Sequence, residues 1–557
     1  MEEQTITPKL DVDVLLVYPP VMLEYNPVDP PFGLMYIAAA LREQNISVSI
    51  LDLNALRWSD DQVKEFFEKN KFPVVGIGGM TTVYYYVKWL SFFIKEKAPE
   101  TKIIGGGSFV TPCPRIVMEK TPIDVGCIGE SEISVVPLVK KLLSGQELDQ
   151  NLKGIVFKKD GKVIVTQPEK RVRDIGDLPI PAYDLVDIPL YVRNSGKRPA
   201  LLKLLEKNGT PIEEVSNTFI MFASRGCPFE CTFCYRNFGR VTKRSNIDAL
   251  IDHIKYVNKI YGVNNIAFYD EIFNASKKWV KEFAAKAASE LPGFYFWIGG
   301  ARIDLIDDEV VAELKNANFY EVSVGVESFD DRILEEMDKK FGADTLLNGL
   351  KMLKEAELAP SCIAMLYGFP SDDEESLRLS ENAIKELGIP AYFQFPLPFP
   401  GTFLYEEIKK QGKVGDEEEF MLDLADHMTQ ELFINLSKFP DEKLVKMVRD
   451  TEARINLALN PPPVEAEVET PAIPRKFPKK YVAGLITLGI VLKSIGLKVN
   501  RVILLTRATL KLRTRLLTAA YYANDSILAA RATLKLRTRL LAAAHYLNEL
   551  IFREKPL

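Results

Sequence analysis

Three of the six cysteines of this 557-residue chain fall within eight positions. The stretch RGCPFECTFC places Cys227, Cys231 and Cys234 in a Cys-x3-Cys-x2-Cys spacing directly after an apolar, strand-like run. Three thiolates on one loop can wrap one face of an iron–sulfur cube and leave its fourth iron without a protein ligand, open to a small molecule. A structural zinc site closes with four ligands, and no fourth Cys or His lies near in sequence; the three histidines are His253, His427 and His545. Three buried structural thiols are the remaining reading, and the tight spacing disfavours it.

With Phe233 just before the last cysteine, the loop resembles the signature of the radical S-adenosylmethionine (SAM) enzymes. The resemblance implies a 4Fe-4S cluster whose open iron is chelated by the amino and carboxylate groups of SAM. It also implies one-electron cleavage of the sulfonium to a 5′-deoxyadenosyl radical that takes hydrogen from an unactivated carbon. The implied partner is a low-potential electron donor of the flavodoxin or ferredoxin type. Later motifs match in chain order. FYDEIF places Asp270 and Glu271 at a strand end, where the family holds an acidic pair near the SAM amino group. GARID supplies Arg302 for the SAM carboxylate, which a guanidinium can bind with two donors. VGVESFD sets Glu327 and Ser328 toward the ribose and amino-acid part, and the loops GFPSDDEES and PFPGT lie toward adenine. Each alone reads equally well as a salt-bridged carboxylate or a strand-end turn; in this order after the cysteine triad they support one another.

Such residues need strands to aim them. Six strand-like segments, beginning TFIMFASRGC, NIAFYDEIF and FYFWIGGARID and continuing through EVSVGVES, PSCIAMLYGFP and PAYFQFPLPFPGT, alternate with helical stretches. That pattern predicts a full or partial β/α barrel with its working residues at the strand C-termini. Upstream, DVDVLLVYPP, SVSILDL, VVGIGGM, KIIGGGS and DVGCIGE alternate with helical patterns and predict a doubly wound parallel sheet, so the fold class is α/β. Ligands bind such sheets outside the strand carboxyl ends. There lie Pro19, Pro20, Gly78, Gly79, Gly105, Gly106, Gly107, Gly129 and Glu130, and Gly33 opens the helical pattern after the first strand.

This first unit resembles the cobalamin-binding domain that precedes the radical SAM barrel in one large subfamily. The resemblance rests on LLVYPP, PPFGLMYIAAALR, LDLNA, VGIGGMT, IIGGGS and DVGCIGESE, and with the barrel it covers about residues 10–440. It implies cobalamin at the glycine loops, whose bare backbone admits a bulky ring and tail. No histidine precedes His253, so the Asp-x-His-x-x-Gly mode is excluded and cobalamin would be base-off without a histidine from this unit. Glycine loops on such a sheet are also compatible with a nucleotide, or with a vestigial domain. Methylthiotransferases that modify RNA resemble the architecture but carry three N-terminal cysteines and a small β domain, and both are missing. Cys113, Cys127 and Cys362 read as buried small hydrophobes.

The net charge of −5 conceals an asymmetry. From residue 475 onward the chain has 17 Lys and Arg against 3 Asp and Glu, a net +14 that leaves −19 on the preceding residues. RATLKLRTRLL occurs at residues 507–517 and again at 531–541, each copy with basic and apolar faces at helical spacing. The apolar run YVAGLITLGIVL is too short to span a bilayer, so interfacial helices on an anionic membrane surface are expected, ahead of docking on an acidic protein surface and well ahead of nucleic acid. The opening residues form no secretory signal, and an intracellular, cytoplasmic chain, peripheral on a membrane face, is expected. The expected domains are 1–150 (cobalamin-binding type), 151–215 (connector), 216–440 (barrel), 441–474 (helix and Pro-rich linker) and 475–557 (basic helical tail).

The expectation is therefore a radical SAM enzyme using cobalamin to methylate an unactivated carbon of a hydrophobic small-molecule or lipid substrate, a tetrapyrrole included. Radical ring formation without methyl transfer is the alternative reaction. A non-catalytic corrinoid or iron–sulfur carrier is the alternative of another class.

Overall fold

The computed structural model describes residues 7–460 except 24, 171 and 425–430, all within one compact unit, Met1–Val464. The basic tail and its repeats lie outside the described residues.

Short Val/Ile/Leu runs flanked by Gly and Pro make the first sheet. Its strands are β1 (Val14–Tyr18), β2 (Val48–Asp52), β3 (Val74–Gly79), β4 (Lys102–Gly107) and β5 (Val125–Cys127), all parallel and in the order β2-β1-β3-β4-β5. Helices cover both faces, which is why these strands are apolar throughout instead of alternating. The order reverses between β1 and β3, so a crevice opens beyond their carboxyl ends, where Pro19-Pro20 and Gly78-Gly79 fall.

The sheet does not stop at residue 150. Two antiparallel strands, β6 (Ile155–Lys159) and β7 (Lys162–Val165), extend it past β5. Their two-residue turn places Asp160 and Gly161 at φ 51° and 73°, the geometry that Asp-Gly favours in a tight hairpin. This hairpin, which falls within the expected connector, thus belongs to the first sheet, and the expected boundary at 150 moves beyond Val165.

The second half builds β8 (Phe219–Met221), the short antiparallel pair β9 (Ser224–Arg225) and β10 (Lys243–Arg244), then β11 (Asn265–Phe268), β12 (Tyr295–Ala301) and β13 (Phe319–Val324). The strands β8, β11, β12 and β13 form one parallel sheet, and β14 (Ile363–Leu366) and β15 (Ala391–Gln394) a parallel pair. A single parallel bridge between Glu327 and Met365 joins the two, so six parallel strands make one open arc, a partial barrel.

The connector fills this arc. Helix Pro199–Asn208 lays the fully buried Leu201 and Leu205 against Ile220, Ala267, Tyr295, Trp297 and Tyr320. At its start Arg198 stacks 3.9 Å from the Trp297 ring and pairs with Glu321 of β13, itself fully buried (Nε to Oε2, 2.9 Å). Beyond the arc, helix Glu417–Asp423 returns to the first domain, where Met421 enters the core and Glu418 meets Lys88 at 2.5 Å and Tyr84 at 3.1 Å. Helix Asp441–Leu459 closes the described chain on β15 and on helix Glu374–Leu387, through Glu452 to the Phe393 amide and Arg454 to Glu381. Among the described residues no helix is long and apolar enough to cross a membrane.

Candidate active site

The cysteine loop leaves β9 and returns through β10. Gly226 takes φ 87°, and a Cβ there would meet the Val241 carbonyl at 2.3 Å, so the start of the loop requires glycine. Backbone bonds then fix it on both sides: Cys227 N–H to Gly239 O (3.0 Å), Thr232 N–H to Met337 O (3.0 Å), and Leu404 N–H to Thr232 O (2.9 Å). All three cysteines are free thiols. Desolvation raises the Cys227 thiol above its usual range. Cys234 is exposed as a residue, yet surrounding protein desolvates its sulfur and, with the charges of Cys231 and Glu327, pushes the thiol up to about 12. Among the described residues no His, Cys, Asp or Glu group converges as the ligands of a single metal ion. A cube spreads its thiolates over three irons, so a loop of this kind does not require that convergence.

The acidic pair after β11 holds both flanks of this loop. Asp270, buried, accepts from the Ser224 amide of β9, and desolvation lifts its carboxyl to about 7. Glu271 accepts from Asn237 N–H (2.8 Å) and Phe238 N–H (3.3 Å), beyond the last cysteine, and burial raises its pKa also. The other oxygen of each, Asp270 Oδ2 and Glu271 Oε2, is buried without a hydrogen-bond partner. Gly300 lets β12 pass close beneath, since a Cβ there would sit 2.4 Å from the Asp270 carbonyl.

Arg302 is largely committed within the protein. Its Nε and Nη2 bind Asp304 at 3.0 and 3.1 Å, and Nη2 also donates to the Lys339 carbonyl at 2.6 Å. Its planar face lies under Phe229 of the cysteine loop. The sequence pattern assigned it to the SAM carboxylate; in the structure it also supports the loop from below.

Glu327 stands at φ 69°, a region side chains rarely adopt, and its backbone bonds to β14 on both sides, N–H to Ala364 O and C=O from Leu366 N–H. Its Oε1 lies 3.5 Å from Lys339 Nζ. Ser328 is buried and its hydroxyl accepts from Asp330 N–H at 3.1 Å, so it closes its own turn instead of facing outward. Phe233 packs edge-on against Phe369 at 6.1 Å. The loop around Phe369 is also closed on itself: Asp372, lifted to about 6 by desolvation, accepts from the Gly368 and Phe369 amides.

On the facing side, Pro19 and Pro20 are buried at the end of β1, and Gly78, Gly79, Gly105, Gly106 and Gly107 end β3 and β4. Gly107, at φ 101°, passes so close to β3 that a Cβ would meet the Gly79 carbonyl at 2.3 Å. Gly33 sits in the first turn of helix Phe32–Arg42 with open space where a Cβ would be. Thr111, not singled out from sequence, ties two of these loops: its hydroxyl donates to Gly107 O and accepts from Gly129 N–H, both at 3.0 Å. Met22, Leu23 and Met80 are exposed beside the strand ends, an apolar margin suited to a flat macrocycle. His253 is elsewhere, half-buried on Tyr183 (2.9 Å), and desolvation pushes its pKa down to about 4.

Glu130 departs from the expected pattern. Grouped by sequence with the cobalamin loops, it is buried and paired with Lys243 of β10 at 2.5 Å. Its neighbour Glu132 pairs with Arg225 of β9 at 2.7 Å. The two sides also touch at Tyr235, which follows the last cysteine and packs on Gly401, itself against Pro112. Tyr235 has Thr111 as a polar neighbour without a well-formed hydrogen bond.

Among the described residues six buried side-chain polar atoms lack a hydrogen-bond partner, belonging to Glu130, Tyr235, Thr242, Arg244, Asp270 and Glu271. All lie in or beside the cysteine loop or in the loop facing it. Buried polar atoms are ordinarily satisfied, so a concentration of exceptions calls for a water, an ion or a ligand there. Two free carboxylate oxygens beside a three-thiol loop suit an ammonium-bearing ligand on an open iron, and the glycine edge suits a corrinoid.

The described chain is a doubly wound parallel sheet followed by a partial barrel that carries the three-cysteine loop. Residues 221–381 match the radical SAM superfamily, and residues 19–139 match the B12 binding domain. The chain thus joins a B12-binding domain to a radical SAM domain, an enzyme with a 4Fe-4S cluster, SAM and cobalamin as cofactors. It is 26% identical to an uncharacterized methyltransferase of Pyrococcus horikoshii, over 80% of this chain and 93% of that protein. It is 24% identical to an anaerobic magnesium-protoporphyrin IX monomethyl ester cyclase of Synechocystis sp., over 58% of this chain and 62% of that protein. The fold is similar to that of the radical SAM methyltransferase TsrM from Kitasatospora setae, with tryptophan substrate and a SAM analogue bound (TM-score 0.58, 18% identity, 72% of this chain and 76% of that one).

Proposed function

We propose that this enzyme methylates an unactivated carbon of a hydrophobic substrate, a lipid or tetrapyrrole, using the cluster, SAM and cobalamin together. The reading is supported by the presence, in one compact unit, of the cysteine loop with the unbonded oxygens of Asp270 and Glu271 and of the glycine strand ends, the two sides being linked by Glu130–Lys243 and Glu132–Arg225. When bound, the cluster and SAM supply a carbon radical, and cobalamin supplies a transferable methyl group. Cys227, Cys231 and Cys234 would hold the cluster, and Asp270 and Glu271 the SAM ammonium. Glu327, fixed at its unusual φ, would meet the ligand's polar edge, with Phe233 flanking it. Pro19, Pro20 and the glycines of β3 and β4 would carry the corrinoid face.

Enzymes of the radical SAM kind require an electron donor, and a flavodoxin- or ferredoxin-type protein fits the low potential needed. The basic repeats of the tail, outside the described residues, fit an anionic membrane surface near a lipid-like substrate. Retention of the full chain, but not of a chain ending at residue 464, on anionic vesicles would test this; equal retention of both would overturn it.

Ring formation remains a second reading because one relative is a cyclase. Anaerobic reconstitution of the full chain with iron, sulfide, cobalamin and SAM, with a flavodoxin-type protein and its reductant supplying low-potential electrons, separates the two. Methylated cobalamin with S-adenosylhomocysteine supports methyl transfer, whereas 5′-deoxyadenosine alone supports ring formation. No SAM cleavage by protein carrying both metal cofactors would overturn both readings and favour a carrier.

A further inference from the structure

Four charged side chains meet where the first domain touches the cysteine loop. Glu130 and Glu132 come from the turn after β5, and Arg225 and Lys243 face each other across the pair β9–β10. Arg225 reaches Glu132 at 2.7 Å and Glu130 at 3.7 Å, Lys243 reaches Glu130 at 2.5 Å, and none of the four side chains is more than 8% exposed. The Arg225 guanidinium is further held between the rings of Tyr36, from the first domain, and Phe238, from the cysteine-loop side, at 4.8 and 4.9 Å.

Buried ion pairs cost desolvation and are a weak source of net stability, but removing one partner leaves an uncompensated buried charge. Here each domain contributes two like charges, so neither can bury its own pair without the other. Arg225 is two residues from Cys227, and Glu130 follows Gly129, whose amide is fixed to Thr111 and through it to Gly107. The cluster of charges therefore connects the start of the cysteine loop to the glycine edge by a short, fully packed path.

We propose that Arg225 and Lys243, with Glu130 and Glu132 opposite, are positioning residues: an electrostatic lock that sets the distance and orientation of the cysteine loop relative to the corrinoid-facing loops. The proposal rests on the cobalamin and cluster assignment for its purpose, though not for its geometry. It gives Glu130 a role between the two sites and makes the domain arrangement fixed before either cofactor arrives.

Hydrogen exchange on the full chain without cobalamin tests the lock directly, read at the Gly129 amide and at Ser245 N–H, which bonds Ala223 O beside β9. Arg225→Met and Glu132→Met singly are expected to speed exchange at Gly129 by at least about tenfold, while exchange in the β3 and β11 cores stays at wild-type rates. The double variant Arg225→Met/Glu132→Met, which leaves Lys243–Glu130 intact and no charge unpaired, is expected to recover most of the protection. Unchanged exchange in the single variants, or a double variant no better than the worse single one, would overturn the lock. Should Arg225→Met fail to fold, Lys243→Met with Lys243→Met/Glu130→Met gives the same cycle away from Cys227.

In the reconstituted protein, the magnetic interaction between the reduced cluster and cob(II)alamin gives a second readout. It is expected to be broadened in Arg225→Met and sharpened again in the double variant, with both cofactors still bound. A wild-type chain that takes up no cobalamin would remove the functional assignment, and the exchange cycle would still decide the lock.

Discussion

The guanidinium carbon of Arg302 lies 3.6 Å from the centre of the Phe229 ring, placing a residue at the end of β12 beneath the middle of the cysteine loop. Phe341 stacks on the same guanidinium at 4.7 Å, and Asp304 takes two of its hydrogen bonds. A planar, bidentate cation is required for all three contacts at once, and an ammonium provides neither the plane nor the fork.

Arg302→Lys is therefore expected to behave like Arg302→Met. Each should lose about 1–3 kcal/mol of loop stabilisation and load less iron per chain on anaerobic reconstitution. Iron and sulfide analysis, with the cluster's visible absorbance, checks this; full loading in the lysine variant would contradict it.

Asp270 gives a pH signature. Its carboxyl is lifted from an ordinary 3.8 to about 7 in the folded chain, so the folded state binds the proton more tightly. Stability from this group is present below the unfolded value and declines as pH rises from about 4 toward 7. The melting temperature of wild type minus that of Asp270→Asn, in the cofactor-free protein, should fall across that window and level off above it. His253 has the opposite sign: held down at about 4 from 6.5, it costs stability as pH falls from 6.5 toward 4, and a His253→Phe comparison should slope the other way.

Glu327 sits where a side chain costs stability. At φ 69° a glycine is unstrained, and relief of an αL side chain is worth about 1 kcal/mol. Glu327→Gly is expected to melt no lower than wild type while losing SAM cleavage. A large fall in melting temperature would instead assign the Lys339 contact the main role.

The barrel floor depends on a single cation. Glu321 is fully buried, and Arg198, Ser361 N–H (3.1 Å) and the Ser361 hydroxyl (2.6 Å) satisfy it. Arg198→Met should destabilise by roughly 3 kcal/mol, and Arg198→Met/Glu321→Met by clearly less, measured by urea denaturation.

Much of this was legible from sequence where the determinants are local. The spacing Cys227, Cys231, Cys234 and the glycines ending β3 and β4 needed only neighbours in the chain, and six apolar runs gave the six barrel strands. What escaped were pairings across long sequence separations. Glu130 and Glu132 read as part of a glycine loop because their partners, Arg225 and Lys243, lie about a hundred residues away and look like ordinary solvated charge. Arg302 was assigned by motif to a ligand, but only the fold reveals Phe229 above it. The part the connector plays in the barrel escaped because Leu201 and Leu205 have the pattern of any amphipathic surface helix, and nothing local indicates that their apolar face fills a barrel.

That last feature constrains how the protein can be taken apart. A chimaera that exchanges first domains between relatives at residue 215 would remove the floor from one barrel and graft an ill-fitting one onto another. A cut just after Val165 keeps helix Pro199–Asn208 with the strands it seals, so the natural exchange unit is the barrel together with its own stopper.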